Sequence, residues 1–229
     1  MTVAASEFAT RLSEVREHIA RAAERSGRSP EAITLIAVSK THPAGAVIAA
    51  LRTGQSDFGE NRVQEGVAKA AEVASLAGAL PGSPKWHLIG HLQTNKVRAA
   101  LGTFAILHSV DSERLLRAIS AAATSPAQVF IEVNVAAEPQ KYGIAVAEVP
   151  AMVEAARSLP NIVVTGLMTV APHVQDVEQT RPIFRTLRGL AEANALESLS
   201  MGMTNDYEVA IEEGSTHVRI GRALFGDRQ

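Results

Sequence analysis

Apolar residues recur along this chain in two periods, and the alternation between them sets out its architecture. Near the N-terminus, Phe8, Leu12, Val15 and Ile19 stand three or four residues apart with Arg and Glu between them, and Gly27 follows. That spacing predicts one amphipathic helix over residues 1–28, closed by the glycine. From Ile33 onward, short apolar runs of strand character alternate with helical segments. The strands read ITLIAVS (33–39), SDFGE, KWHLIG (85–90), FAILHSV, QVFIEVNV (128–135), NIVVTGLMTV (161–170), ESLSMG and THVRIG. Between them, Pro43 opens and Gly54 closes AGAVIAALRT, the usual proline-in, glycine-out asymmetry. VQEGVAKAAEVASLAG, a short helix through Lys96 and Val97, and SERLLRAISAAA with Asp111 as its expected N-cap come next. VPAMVEAARS, a helix over 177–195 with Pro182 in its first turns, NDYEVAIEEG and RALFG complete the series.

Eight strands, each followed by a helical element, imply parallel pairing through right-handed crossovers. Eight is the number that closes a (β/α)₈ TIM barrel, and a single α/β domain over residues 1–229 with an extra N-terminal helix packed on its floor or flank is expected. An open flavodoxin-like or Rossmann sheet is the competing arrangement, because strand order is not written in the sequence. No GxGxxG follows the first strand, which weakens the dinucleotide version.

Composition narrows the field of partners. The chain has 229 residues, 46% hydrophobic and 20% charged, with 22 basic and 24 acidic side chains for a net charge of -2. Nothing in that balance favours nucleic acid or an anionic membrane as partner. There is no cysteine, so thiolate nucleophiles and thiolate metal sites are excluded. No apolar run has the form of a signal peptide or a bilayer span, which makes the cytoplasm the expected address.

In a barrel of this kind chemistry sits at the C-terminal ends of the strands. Polar residues fall at those ends: Lys40; Glu60 and Asn61; His91, Gln93 and Asn95; His108 and Ser109; Glu132 and Asn134; Met168 and Thr169. The seventh strand runs into Ser200-Met201-Gly202-Met203-Thr204 and the eighth into Arg219-Ile220-Gly221-Arg222. Lys40 has two readings. It is a strand-end lysine reaching to water, or an amine at the edge of a low-dielectric core whose unprotonated form condenses with an aldehyde. Gly202 and Gly221 either permit tight turns or let backbone approach a phosphate, with Ser200 and Thr204 offering hydroxyls. Arg219, inside an apolar strand, needs a core partner or a ligand. His87 reads as a satisfied barrel histidine, His91 and His108 sit nearer the rim, and no carboxylate spacing suggests a metal site.

Together the segments LIAVSKTHP, FGENRVQE, WHLIGHLQTNK, HSVDS, FIEVNVAAEPQKYGI, GLMTVAP, LSMGMTNDYEVAI and HVRIGRALFG resemble the pyridoxal 5'-phosphate (PLP) homeostasis protein family. They run in order from about residue 33 to 227. The resemblance implies a barrel similar to the N-terminal domain of alanine racemase, with PLP covalently bound to Lys40 as a Schiff base. It further implies Asn61 near the cofactor ring, Arg219 at the pyridine nitrogen, and Met168 near the ring or phosphate. Ser200, the Met201-Gly202 backbone and the Gly221-Arg222 turn are its phosphate candidates. Two positions depart from the family pattern: Arg62 stands where tyrosine is usual, and Arg222 where a small hydroxyl residue is common.

An arginine at the pyridine nitrogen keeps it unprotonated and weakens the ring as an electron sink, against aminotransferase chemistry. Racemisation needs an acid/base group on each face of the α-carbon. With the chain ending after its eighth β/α unit, the second domain that supplies one in alanine racemase is expected to be absent. The expected role is a monomeric, non-enzymatic PLP carrier that buffers the cofactor or delivers it to apoenzymes. A PLP-dependent amino-acid racemase is the alternative, and a Schiff-base aldolase a third class.

Overall fold

The computed structural model describes residues 3–76 and 82–226. Helix α1 (Val3–Arg25) precedes a repeating series: β1 (Thr34–Val38), α2 (Ala44–Leu51), β2 (Asp57–Glu60), α3 (Val63–Leu76), β3 (Lys85–Leu88) and α4 (Val97–Leu101). There follow β4 (Ile106–Val110), α5 (Glu113–Ala122), β5 (Ala127–Glu132), α6 (Val149–Ser158), β6 (Ile162–Met168) and α7 (Arg181–Ala193). The series ends in β7 (Ser198–Met203), α8 (Tyr207–Glu212), β8 (His217–Ile220) and the short α9 (Arg222–Phe225). The strands pair in sequence order, all parallel, and β8 pairs back onto β1 with Ile36 opposite Arg219 and Ala37 opposite Ile220. The fold is therefore a closed (β/α)₈ barrel, and the open-sheet alternative is excluded by that last pairing.

The four apolar positions predicted for α1 are all buried. The helix stops at Gly27, whose φ is 68°. Arg28 N–H donates to Ala23 O and Gly27 N–H to Glu24 O, the paired bonds that close a helix on a left-handed residue. α1 lies on the barrel flank along α2, α8 and α9, with the Phe8 and Phe225 rings 5.0 Å apart. Arg25 joins it to Glu208 and Glu212 of α8, exposed pairs worth about 0–1 kcal/mol each.

Several boundaries differ from expectation. Ser112, not Asp111, caps α5: its hydroxyl accepts from Leu115 N–H. Asp111 is turned instead to His91, whose Nδ1 lies 3.0 Å from its carboxylate. β5 stops at Glu132 rather than at residue 135, and β6 at Met168. The helix expected from 177 begins as a 3₁₀ turn, Val177–Thr180, with Pro182 in the first turn of α7. The expected end of α3 at residues 77 and 78 lies outside the described residues.

Strand alternation separates two layers. Leu35, Ala37, Trp86, Leu88, Leu107, Val129, Ile131, Leu199, Met201, Val218 and Ile220 belong to the large core between strands and helices. Burying each large side chain of that set contributes about 1.5–3 kcal/mol. The intervening residues point to the barrel axis. There Ile106, Phe130 and Met168 form a small apolar cluster, and His87, His108, Ser200 and Arg219 are buried as well.

Candidate functional site

The C-terminal ends of the strands surround a cavity of about 840 Å³. Lys40 lines it, two residues beyond β1 and half-buried. Its position is set by three consecutive residues. Ser39 N–H donates to Gly59 O, continuing the β1–β2 ladder past the strand. Thr41 then turns the chain with a φ of 68°, its N–H held by Glu65 Oε1 at 2.7 Å. A β-branched residue in that region is strained. Pro43 closes the turn as the N-cap of α2.

Under this turn lies a buried cluster that sequence spacing did not reveal. Lys69 of α3 donates to Ser39 O at 2.7 Å and to Glu60 Oε1 at 2.6 Å, and the Ser39 hydroxyl donates to the same carboxylate oxygen at 2.7 Å. Burial pushes the Glu60 carboxyl above its usual range despite the pull of Lys69 and Ser39. Glu60 Oε2 is buried without a hydrogen-bond partner.

Asn61, next along from Glu60, also lines the cavity. Its Oδ1 is buried and unpartnered, an acceptor that costs about 1–3 kcal/mol until a donor reaches it.

Arg219 lies beneath, on β8, buried but lining the cavity. It donates through one terminal nitrogen to Ser200 O and Ser200 Oγ, both at 2.7 Å, and through the other to Thr169 O at 2.8 Å. Those bonds use three of the five N–H groups of a guanidinium. Burial lowers its pKa to about 10, against the attraction of Asp206 and Glu132.

Of the nine residues expected at the site, Lys40, Asn61, Arg219, Gly221 and Arg222 line this one cavity. The other four lie elsewhere. Met168 packs in the axial cluster with Phe130 and Ile106. The Ser200 hydroxyl is fully buried below the mouth between Arg219 and His108. The Met201 side chain faces the outer core, and its carbonyl accepts from Ser215. Gly202 has φ 94°, and a Cβ there would stand 2.7 Å from Ala210 Cβ and 2.9 Å from Tyr207 Cα. Its missing side chain therefore makes room for α8. Thr204, two residues on, does line the cavity with Asn205 and Asp206. Sequence alone could not choose between the two hydroxyls, because only the bend after β7 decides which one reaches the mouth.

Other polar residues divide between rim and interior. His91 is at the rim, stacked on the exposed Tyr142 at 4.1 Å. His108 is not near the rim; it is wholly buried on the axis. Glu132 at the end of β5 is pushed up to about 7 by burial, then by Asp111, with Arg219 opposing. Gln93 leads into the 3₁₀ turn Thr94–Lys96, and Lys96 reaches Gln64. Among the described residues, no helix is long and apolar enough to cross a membrane.

The family model described as alanine racemase, N-terminal domain, matches residues 10–229. The chain is 42% identical to the pyridoxal phosphate homeostasis protein of Aquifex aeolicus, over 96% of this chain and 97% of that one. It is 41% identical to the protein of that name from Escherichia coli, over 97% of each. Among solved structures, PipY of Synechococcus elongatus with PLP bound superposes with a TM-score of 0.80 at 33% identity, over 96% of this chain and 100% of that chain. Alanine racemase from Corynebacterium glutamicum superposes at 0.65 with 17% identity, over 93% of this chain and 60% of that enzyme, a likeness of fold alone.

Proposed function

The chain belongs to the pyridoxal phosphate homeostasis protein family, and from that premise we propose that it holds PLP as a Schiff base on Lys40, buffers the reactive aldehyde, and delivers it to PLP-dependent apoenzymes. The observation that carries this reading is the shared cavity: the Lys40 amine, the unpartnered Asn61 Oδ1 and the Arg219 guanidinium all line it. The donor set fits the cofactor. The amine condenses with the aldehyde, forming a C=N bond and releasing water. The Asn61 amide would meet a polar edge of the bound ring, which would relieve the desolvation cost of its Oδ1. The Thr204 hydroxyl and the Gly221-Arg222 turn offer donors and a cation to the phosphate. Thr204 replaces Ser200 in that role, since the Ser200 hydroxyl is already engaged by Arg219.

Bound PLP supplies an electron-withdrawing ring, and Arg219 moderates it. A guanidinium only donates, so the pyridine nitrogen it faces accepts and stays unprotonated. That arrangement suits storage of the cofactor over carbanion chemistry. We assign no turnover to the protein, and place it in the cytoplasm as a single-domain monomer. The racemase alternative predicts exchange of an amino acid's α-hydrogen in deuterated water.

The test is intact mass with and without borohydride, followed by peptide mapping. One phosphopyridoxyl group on the peptide containing Lys40 is expected, with no α-hydrogen exchange at enzyme-like rates. An adduct that persists in full in Lys40→Ala overturns the assignment.

A further inference from the structure

The axis of a (β/α)₈ barrel is ordinarily filled by layers of branched apolar side chains. Here it carries a line of polar groups from one end to the other. Asp57 opens β2 at the N-terminal end of the barrel, and its Oδ1 lies 3.0 Å from Nε2 of His87. Nδ1 of His87 lies 2.9 Å from Nε2 of His108. Nδ1 of His108 lies 2.8 Å from Ser200 Oγ, which accepts from Arg219 at 2.7 Å. Five residues from five strands thus connect the barrel base to the cavity floor.

The two ends fix the direction of every proton between them. A guanidinium can only donate and a carboxylate can only accept. Burial pushes the Asp57 carboxyl up, but bonds from His87 and Ser56 outweigh it and hold the group below its usual range. Ser200 Oγ accepts from Arg219, so its own proton is directed to His108 Nδ1. His108 must then carry its proton on Nε2 and donate to His87 Nδ1. His87 in turn carries its proton on Nε2 and donates to Asp57. Both rings are neutral, and every link is satisfied.

Protonating His87 would set two N–H groups against each other across the 2.9 Å contact, and protonating His108 would turn a new Nδ1–H onto the proton that Ser200 donates. Burial also drives both histidines below their ordinary range. The titratable and charged groups facing them are Asp57 and Lys85 at the base, His217 beside His108, and Arg219 above. His217 is itself held neutral, lowered to about 4 by burial.

We propose that Asp57, His87, His108 and Ser200 are positioning residues, a one-directional hydrogen-bond chain that fixes the Arg219 guanidinium at the cavity floor and so sets the electronic state of the pyridine ring above it. The chain of bonds stands on geometry alone; its effect on the ring rests on the PLP reading above. Without it the guanidinium would keep only two carbonyl partners, Ser200 O and Thr169 O.

The test has two parts, both on the full chain. In wild-type protein with ¹⁵N-labelled histidine, with and without PLP, His87 and His108 are expected as neutral Nε2–H tautomers that do not titrate between neutral pH and the onset of unfolding. An Nδ1–H tautomer or a protonated ring at either position overturns the direction of the chain, whatever binds in the cavity. In PLP-loaded protein, Ser200→Ala is expected to retain cofactor stoichiometry by borohydride mass while shifting its absorption maximum, and Ser200→Thr to return it toward wild type. An unmoved maximum in Ser200→Ala overturns the link to the ring. Loss of PLP from Ser200→Ala alone overturns the positioning role in favour of direct contact. Wild-type protein that takes up no PLP, with both tautomers as expected, refutes the cofactor reading instead and leaves the chain intact.

Discussion

Lys69 and Glu60 form a buried ion pair, Nζ to Oε1 at 2.6 Å, that grips the peptide leading to Lys40. The ammonium belongs to α3 and the carboxylate to the end of β2, and the Ser39 carbonyl completes the cluster. Lys69 is 6% exposed and Glu60 0%. Removing one partner of such a pair leaves an uncompensated charge in a low dielectric, typically at a cost of about 3–5 kcal/mol. Lys69→Met is therefore expected to lose about 3 kcal/mol in urea unfolding near pH 8. Burial raises the Glu60 carboxyl above its usual range even with Lys69 in place. A carboxyl raised in the fold contributes stability below its unfolded pKa and loses it as pH rises. The variant's deficit should therefore shrink at pH 5, and a deficit independent of pH would contradict the pairing.

Lys40 is half-buried at the cavity wall, so its removal should matter far more for cofactor than for stability. Lys40→Ala is expected to be colourless and to take no borohydride adduct at that peptide. Its unfolding free energy should stay within about 1 kcal/mol of wild type, the usual range for a substitution outside the core. Absorbance and urea denaturation on the same preparation separate the two.

His217 sits against Phe130 and His108, and burial lowers it to about 4. A histidine with a depressed folded pKa binds its proton more readily when unfolded. The stability it contributes is present above about pH 6.5 and is lost as pH falls toward 4. The full span is 2.5 units, or up to about 3 kcal/mol at about 1.4 kcal/mol per unit. His217→Asn should therefore unfold less steeply than wild type between pH 6.5 and 4, in midpoints followed by circular dichroism. Parallel profiles would show that His217 does not titrate with unfolding.

Glu132 carries the opposite sign. Its carboxyl is raised to about 7 by burial and by Asp111. The neutral form stabilises the fold below about pH 4.5, and the contribution disappears as pH rises through 7. Glu132→Gln should thus gain stability relative to wild type at pH 8 and show little gain at pH 4.5. An equal gain at both values would point to packing in place of charge.

Gly202 leaves no room for a side chain between β7 and α8, and its φ of 94° disfavours one. Gly202→Ala is expected to cost at least about 2 kcal/mol, combining backbone strain with overpacking against Ala210 and Tyr207. A variant within 0.5 kcal/mol of wild type, about the scatter for neutral surface changes, would mean that α8 yields freely.

The architecture was legible because period-2 runs and period-3.6 segments alternate eight times, and because residues such as Gly27 and Pro43 punctuate them. The inner face of each strand was legible too: Arg219 between Val218 and Ile220 could only point to the axis. What alternation does not encode is which inward polar groups meet. Ser200 and His108 are 92 residues apart and touch because their strands lie across the barrel from one another. The contacts of Ser200 with His108 and Arg219 were consequently not foreseen, and His108 looked like a rim residue. Lys69 was missed for a related reason: a helical lysine reads as solvated unless its carboxylate partner is known to be buried beneath it. The Asp111 and Ser112 exchange was a matter of one residue, where two good capping types stand side by side.

Thr41 holds a left-handed backbone one residue after Lys40, and a threonine is an expensive choice for that conformation. In a screen for thermostable variants, glycine or asparagine at position 41 should emerge early, since either relieves strain of about 1–2 kcal/mol. Hits of that kind belong in a cofactor-retention assay before they are combined, because a melting-temperature screen is blind to the pose of the neighbouring lysine. Position 41 is where optimising this barrel for durability and optimising it as a reservoir part company.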